Sequence, residues 1–314
     1  MNLHLNKKIF SNILMATSNS MKVKLEFVEK DYWVTLILKN LALSDYAEEV
    51  VFKGGTSLSK GYNLIDRFSE DIDIAMIKGD SYTGNQLKKK IREIEKVITS
   101  DLKEIEIAGI SSKGSKFRKS VFEYSSEDPK NQSHKIILEV NSFANLIQFQ
   151  KLSIISFIAE FLIQNGNELY IEEYNLQPFT INVLNKEQTL LEKLISLIRF
   201  SYDKNHIESI SGKIRHFYDL YFLVQDIECK KFLDSDSFKD EFVKVINHDK
   251  EIFKEPRDWA KKSINESPLI DDFDNLWKIL SKKYYEELTA LAYNEIPNPE
   301  DVKRNFKKLI NRIV

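Results

Sequence analysis

One stretch, Val51 to Ala75, constrains this chain more than any other: VFKGGTSLSKGYNLIDRFSEDIDIA. It reads as a short strand, a glycine turn, a helix and a second strand. Strand side chains alternate faces with a period of two, so Asp71 and Asp73 point the same way. Two carboxylates on one strand edge suit a divalent cation. Mg²⁺ takes octahedral oxygen ligands and usually accepts one or two carboxylates plus substrate phosphates. Gly54 and Gly55 lack a Cβ, so the backbone there can approach a phosphate closely. Thr56 and Ser57 then open a helix whose free N–H groups and positive dipole end favour an anion, with two hydroxyls at hand. Lys53 either reaches a phosphate or closes a strand end, while Arg67 and Ser69 lead into the acids. The common phosphate loop G-x-x-x-x-G-K-[ST] is absent, because Lys60 precedes Gly61 and Tyr62 follows it. A lone D-x-D is common in solvated turns and a lone Gly-Gly in tight turns. Both together, one helix length apart, are far more specific.

The rest of the chain bounds the answer. A length of 314 residues allows two domains, or one with a long extension. With 42% hydrophobic and 30% charged residues, the composition is that of an ordinary globular protein. A net charge of −2 gives no global nucleic-acid signal, so such a surface must be a local patch. The single cysteine, Cys229, excludes an intramolecular disulfide and a cysteine-rich zinc site. No run reaches the length of a membrane span, and MNLHLNKKIFSNILM lacks the apolar core of a signal peptide. The expected location is the cytoplasm, with no membrane partner.

Helical spacing predicts helices over residues 5–18, 24–43 and 84–101. Alternation predicts strands over Glu104–Ile110, Phe117–Tyr124 and His134–Val140, joined by Lys113-Gly114-Ser115 and by a turn from Ser125 to Ser133 containing Pro129. The hairpin SSKGSKFRKS carries Lys113, Lys116, Arg118 and Lys119 around Phe117. Phosphate contacts with one stacking aromatic would suit an RNA-binding edge. A solvated hairpin tip explains the same residues, and Arg118 has a third reading, facing the nucleotide. Residues 153–164 read as a helix, and residues 170–184 as one or two short strands. Asn185, with Gln188 three residues on, makes a variant capping box for NKEQTLLEKLISLIRFS. Lys193 projects away from the centre of that helix's apolar stripe. In KIRHFYDLYFLV, Arg215 and Asp219 stand at i,i+4, where surface pairing is the plain reading. Yet Asp219 lies among aromatics and leucines, where a carboxylate is costly without a partner, and Lys193 is a candidate partner. His216 is a weak further candidate. From Asp226 on, the chain reads as a helical bundle.

GGTSLSK followed by RFSEDIDIA resembles the signature of the AbiEii/AbiGii-type nucleotidyltransferases, a branch of the polymerase-β-like superfamily that includes toxins of toxin–antitoxin and phage-defence systems. Gly54, Gly55, Asp71 and Asp73 occupy the motif positions. The resemblance runs from about Glu29, where Glu29-Lys30-Asp31-Tyr32 matches an upstream segment, to about Leu223. It implies that Glu139 is the third carboxylate, set beside the Asp pair. It also implies that Lys193, in LLEKLISLIR, contacts nucleotide phosphates, and that Asp219 is the aspartate of a later motif.

The expectation is therefore an α/β (α+β) nucleotidyltransferase fold with a small mixed sheet over residues 1–184. A helical domain over residues 185–314 contributes Lys193 and Asp219 to the cleft. Asp71, Asp73 and Glu139 would hold Mg²⁺ or Mn²⁺. Lys53, Gly54, Gly55, Thr56, Ser57, Arg67 and Ser69 would bind the nucleoside triphosphate. Lys193 would neutralise pyrophosphate, and Glu139 or Asp219 would assist deprotonation of an acceptor hydroxyl. The resemblance further implies a toxin-like enzyme with a tRNA acceptor and an antitoxin partner. A transferase acting on a protein or small molecule, a nucleotide-bound regulator without turnover, and an interaction protein working through its C-terminal helices remain alternatives.

Overall fold

The computed structural model describes residues 1–69, 71–77, 82–114, 116–127, 134–144 and 148–314. Glu70, the loop at 78–81, Ser115 and the Pro129 turn at 128–133 lie outside the described residues. Contacts divide the chain into two units: Met1–Asn63 with Phe68–Leu184, and Leu64–Arg67 with Asn185–Val314.

The first unit is built on one mixed sheet. Its strands are β1 (Val50–Lys53), β2 (Asp71–Met76), β3 (Lys103–Ile105), β4 (Ser112–Lys113), β5 (Phe117–Glu123), β6 (Lys135–Asn141), β7 (Phe149–Ile154) and β8 (Phe179–Leu184). The order is β3-β5-β6-β2-β1-β8-β7, with β4 paired to β5. Neighbours β2 and β6 run parallel, as do β1 and β8, while β1 and β2 are antiparallel. Alternation sets the faces. Ile72, Ile74, Leu138 and Val140 are fully buried on one side, and Asp71, Asp73 and Glu139 emerge on the other.

The helices of this unit are α1 (Lys7–Met21), α2 (Leu25–Ala42), α3 (Gly54–Lys60), α4 (Gly84–Ile98), α5 (Phe157–Gln164) and α6 (Glu168–Glu173). Leu87, Ile91, Ile94 and Ile98 of α4 are all buried at helical spacing. At its start Gln86 accepts a hydrogen bond from the Thr83 amide at 3.0 Å, a cap the sequence reading passed over. Three expectations need correction. The strand expected to Ile110 stops at Ile105, because the chain turns through Gly109 at φ +80. Ser153 and Ile154, expected to start a helix, end the strand at residues 149–154, and Ser156 caps the helix instead by accepting from Ala159 N. Tyr170 lies in a short helix. The charges of α2 are no solvated face either. Glu29 accepts from Ser126 Oγ and Glu127 N, both at 2.6 Å, and Asp31 accepts from Lys60 Nζ and Phe157 N.

The second unit is helical: α7 (Lys186–Phe200), α8 (His206–Ser211), α9 (Arg215–Leu223), α10 (Ile227–Leu233), α11 (Ser237–Ile252), α12 (Pro268–Asp271), α13 (Phe273–Leu291) and α14 (Pro299–Ile310). Its core is aromatic, with Phe217 against Phe273, Trp277 and Phe306 at ring-centroid distances of 4.8–6.0 Å. Leu64–Arg67, expected in the first domain, belongs here. Asp66 O accepts from Tyr293 N at 3.0 Å, and Arg67 bridges Ala292.

Candidate active site

In the first unit the register of the sheet lines up four charged residues. Lys53 on β1 pairs with Asp73 on β2, Asp73 with Glu139 on β6, and Glu139 with Lys119 on β5. Directly paired residues share a face, so one row across four strands reads cation, acid, acid, cation. Asp71 stands two residues from Asp73 on the same face. Lys119 Nζ lies 2.6 Å from Glu139 Oε1. Burial opposes the Lys119 charge. The hydrogen bond and charge of Glu139, with Asp71 and Asp73 behind it, outweigh that and hold its pKa above the ordinary lysine value.

The glycine turn is fitted to Asp73. Gly54 has φ +80, a region L side chains avoid, and a Cβ built there would sit 2.0 Å from Asp73 Oδ2. Asp73 thus fills the space that the missing side chain leaves. Thr56 Oγ1 donates to Asp71 O, and Ser57 Oγ donates to Gly54 O at 2.9 Å. The first proton fastens the turn to β2 and the second closes the turn on itself, which leaves backbone N–H groups as the turn's donors to a phosphate. Ser69 is half-buried just ahead of the acids.

The donor set fits a hard divalent cation. Asp71 and Asp73 would supply two oxygen ligands, the number Mg²⁺ takes alongside substrate phosphates, and the cradle at Gly54 fixes the position of one of them. Glu139, the third carboxylate expected from sequence, stands in register with Asp73. Among the described residues no group of three or more His, Cys, Asp or Glu side chains is placed to hold a metal ion. Glu139 is engaged by Lys119 instead.

In the second unit Asp219 is fully buried and receives two cations. Arg67 binds it bidentately, Nε to Oδ1 at 2.7 Å and Nη2 to Oδ2 at 2.6 Å. Lys193 Nζ lies 2.6 Å from Oδ2. Burial alone would raise the Asp219 carboxyl; Arg67 and Lys193 together hold it below the ordinary carboxylate range. A carboxylate so stabilised is a poor proton acceptor, so the expected deprotonating role does not suit it. Lys193 is buried, not projecting, and Arg67 meets Asp219. Arg215, the expected i,i+4 partner, lies 3.3 Å from Glu287. Burial, reinforced by Lys193, pushes the His216 imidazole well below its usual pKa, and its Nδ1 has no hydrogen-bond partner among the described residues. The expected capping box at Asn185 is not closed, since the Asn185 side chain makes no capping hydrogen bond.

The basic hairpin does not act as one surface. Arg118 and Lys119 are neighbours on β5 and so face opposite sides. Arg118 is buried, bonded to Glu95 and, at 2.8 Å, to Glu104. Lys113 pairs with Glu106 at 3.4 Å. Lys119, read from sequence as part of an RNA edge, belongs to the acid row. Its signal was the pairing of β5 with β6, which the sequence pattern alone did not register.

Comparison with known proteins bears on the family. A family profile described as "Nucleotidyl transferase AbiEii toxin, Type IV TA system" matches residues 36–307. The match continues well past Leu223, where the resemblance read from sequence stopped. No curated protein matches the chain. Among solved structures, "MenT4, nucleotidyltransferase toxin Rv2826c from Mycobacterium tuberculosis H37Rv" aligns over 86% of this chain and 98% of its own, at 13% identity and a TM-score of 0.36. With the acid pair in place and the profile spanning most of its length, the chain belongs to the AbiEii family of nucleotidyltransferase toxins of type IV toxin–antitoxin systems.

Proposed function

We propose that the protein transfers a nucleoside monophosphate from a nucleoside triphosphate to an acceptor hydroxyl on RNA, tRNA being the first acceptor to test. The observation that carries this reading is the pairing of Asp71 and Asp73 on one strand face with Asp73 seated against Gly54. Asp71 and Asp73 would hold a Mg²⁺ or Mn²⁺ ion, which supplies charge neutralisation at the triphosphate. The Gly54-Gly55 backbone binds phosphate oxygens, and Lys53, at the end of β1, adds a positive charge beside Asp73. The acceptor oxygen bonds to the α-phosphorus and gives up its proton, while the α–β phosphoanhydride bond breaks and pyrophosphate leaves. Such transfer depends mainly on positioning and charge stabilisation. In the second unit Asp219 orients Lys193 and Arg67. Family membership makes an antitoxin protein the expected binding partner.

The test is transfer of label from each α-³²P nucleoside triphosphate with Mg²⁺ to total bacterial tRNA, with Asp71→Ala/Asp73→Ala as control. Label on tRNA that disappears in the double variant supports the reading. Label on protein reassigns the acceptor. Turnover near wild type in Asp71→Ala refutes the role given to the acids.

A further inference from the structure

Asp71, Asp73 and Glu139 all emerge on one sheet face, with Asp73 and Glu139 in direct register. Carboxylates in direct register on adjacent strands repel one another, and a second divalent ion is one way to relieve that. Here an ammonium does so. Lys119 pairs with Glu139 across β5 and β6, with Nζ 2.6 Å from Oε1. Strand register fixes this contact: both Cβ atoms stand on the same face of adjacent strands. Lys119 is only about a quarter exposed and Glu139 about a fifth, so solvent screens the pair weakly. Arg118, the next cation along β5, is committed to Glu95 and Glu104 and offers no substitute. Consistent with this, no three-residue metal-binding group forms among the described residues.

We propose that Lys119 is a positioning residue that stands in for a second metal ion. It holds Glu139 out of the ligand set, so the site takes a single divalent cation on Asp71 and Asp73. The proposal rests on the nucleotidyl-transfer reading of that acid pair.

The test is titration of the full chain with Mn²⁺, without nucleotide, following free Mn²⁺ by electron paramagnetic resonance. The wild type should bind a single ion, and Asp71→Asn/Asp73→Asn should lose it. Lys119→Met frees Glu139 and should bind a second ion, or the first at least about tenfold more tightly, the scale of an outer partner's effect on metal affinity. Adding Glu139→Gln to Lys119→Met should restore the wild-type isotherm. Glu139→Gln alone should leave the count at a single ion, which decides the matter even if Lys119→Met does not fold. Two ions on the wild type, one of them lost in Glu139→Gln, would overturn the proposal. So would a folded Lys119→Met that titrates like wild type while the wild type binds its single ion at the Asp pair; that result leaves the transfer reading standing. Wild type that binds no Mn²⁺, either alone or with a non-hydrolysable nucleoside triphosphate, refutes both.

Discussion

Gly54→Ala is the sharpest single perturbation the structure offers. Two independent costs fall on one methyl group. At φ +80 an L residue is strained by roughly 1–2 kcal/mol. The added Cβ would also lie 2.0 Å from Asp73 Oδ2 and 2.8 Å from its Cγ. The first of these is more than an ångström short of the 3.4 Å at which ordinary contact begins. The carboxylate is the movable partner, so Asp73 must swing away and its ligand oxygen goes with it. A misplacement of about 1 Å typically costs about 10²-fold in rate. The expected outcome is a loss of about a hundredfold in nucleotidyl transfer and a parallel loss of Mn²⁺ affinity, with stability lowered by roughly 1–2 kcal/mol. Single-turnover transfer of α-³²P label reads the first, Mn²⁺ titration the second and urea denaturation the third. Gly84→Ala is the control, since a Cβ there meets nothing within 4 Å. It should keep full activity and gain roughly 0.4–1 kcal/mol. Transfer within about threefold of wild type by folded Gly54→Ala would refute the coupling between turn and ligand.

Asp219→Asn leaves Arg67 and Lys193 buried without their counter-charge and should destabilise the protein by about 3–5 kcal/mol in urea; a change under about 1 kcal/mol would contradict the pairing. Because the folded Asp219 pKa is depressed, its contribution is complete above the ordinary carboxylate value of about 3.9 and fades as pH falls below it. The urea midpoints of wild type and Asp219→Asn should therefore converge below about pH 4. Arg118→Met strands the buried Glu95 and should lower stability by about 3–5 kcal/mol, while filter-binding affinity for tRNA stays unchanged; weakened RNA binding with intact stability would restore the RNA-edge reading.

Much of the first unit was legible because period-two alternation and a glycine turn are local signals. Asp71 and Asp73 share a face whatever the rest of the chain does. What escaped the sequence were partners set by tertiary pairing. Lys119 and Arg118 are adjacent in a basic run, yet one faces Glu139 and the other the buried Glu95. Only the register of β5 against β6 separates them. Lys193 was placed away from the centre of its helix's apolar stripe and named as a partner for Asp219, and the two lie 2.6 Å apart. Arg67 precedes the acids by a few residues in sequence, but its bidentate partner is 152 residues away. The cost of burying a carboxylate did forecast that Asp219 needed a cation, and Lys193 is one of the two it has.

The alternation along β2 also proofreads the fold. A slip of one residue against β1 or β6 would turn Ile72 and Ile74 out to water and drive Asp71 and Asp73 into the packed layer. Exposing each isoleucine forfeits roughly 1.5–3 kcal/mol, and each interred carboxylate adds several more. Mispaired chains are therefore disfavoured during folding by the same two carboxylates that are proposed to hold the metal ion. A toxin built this way has no stable inactive register in which to accumulate, so restraint of its activity must come from outside the strand pairing.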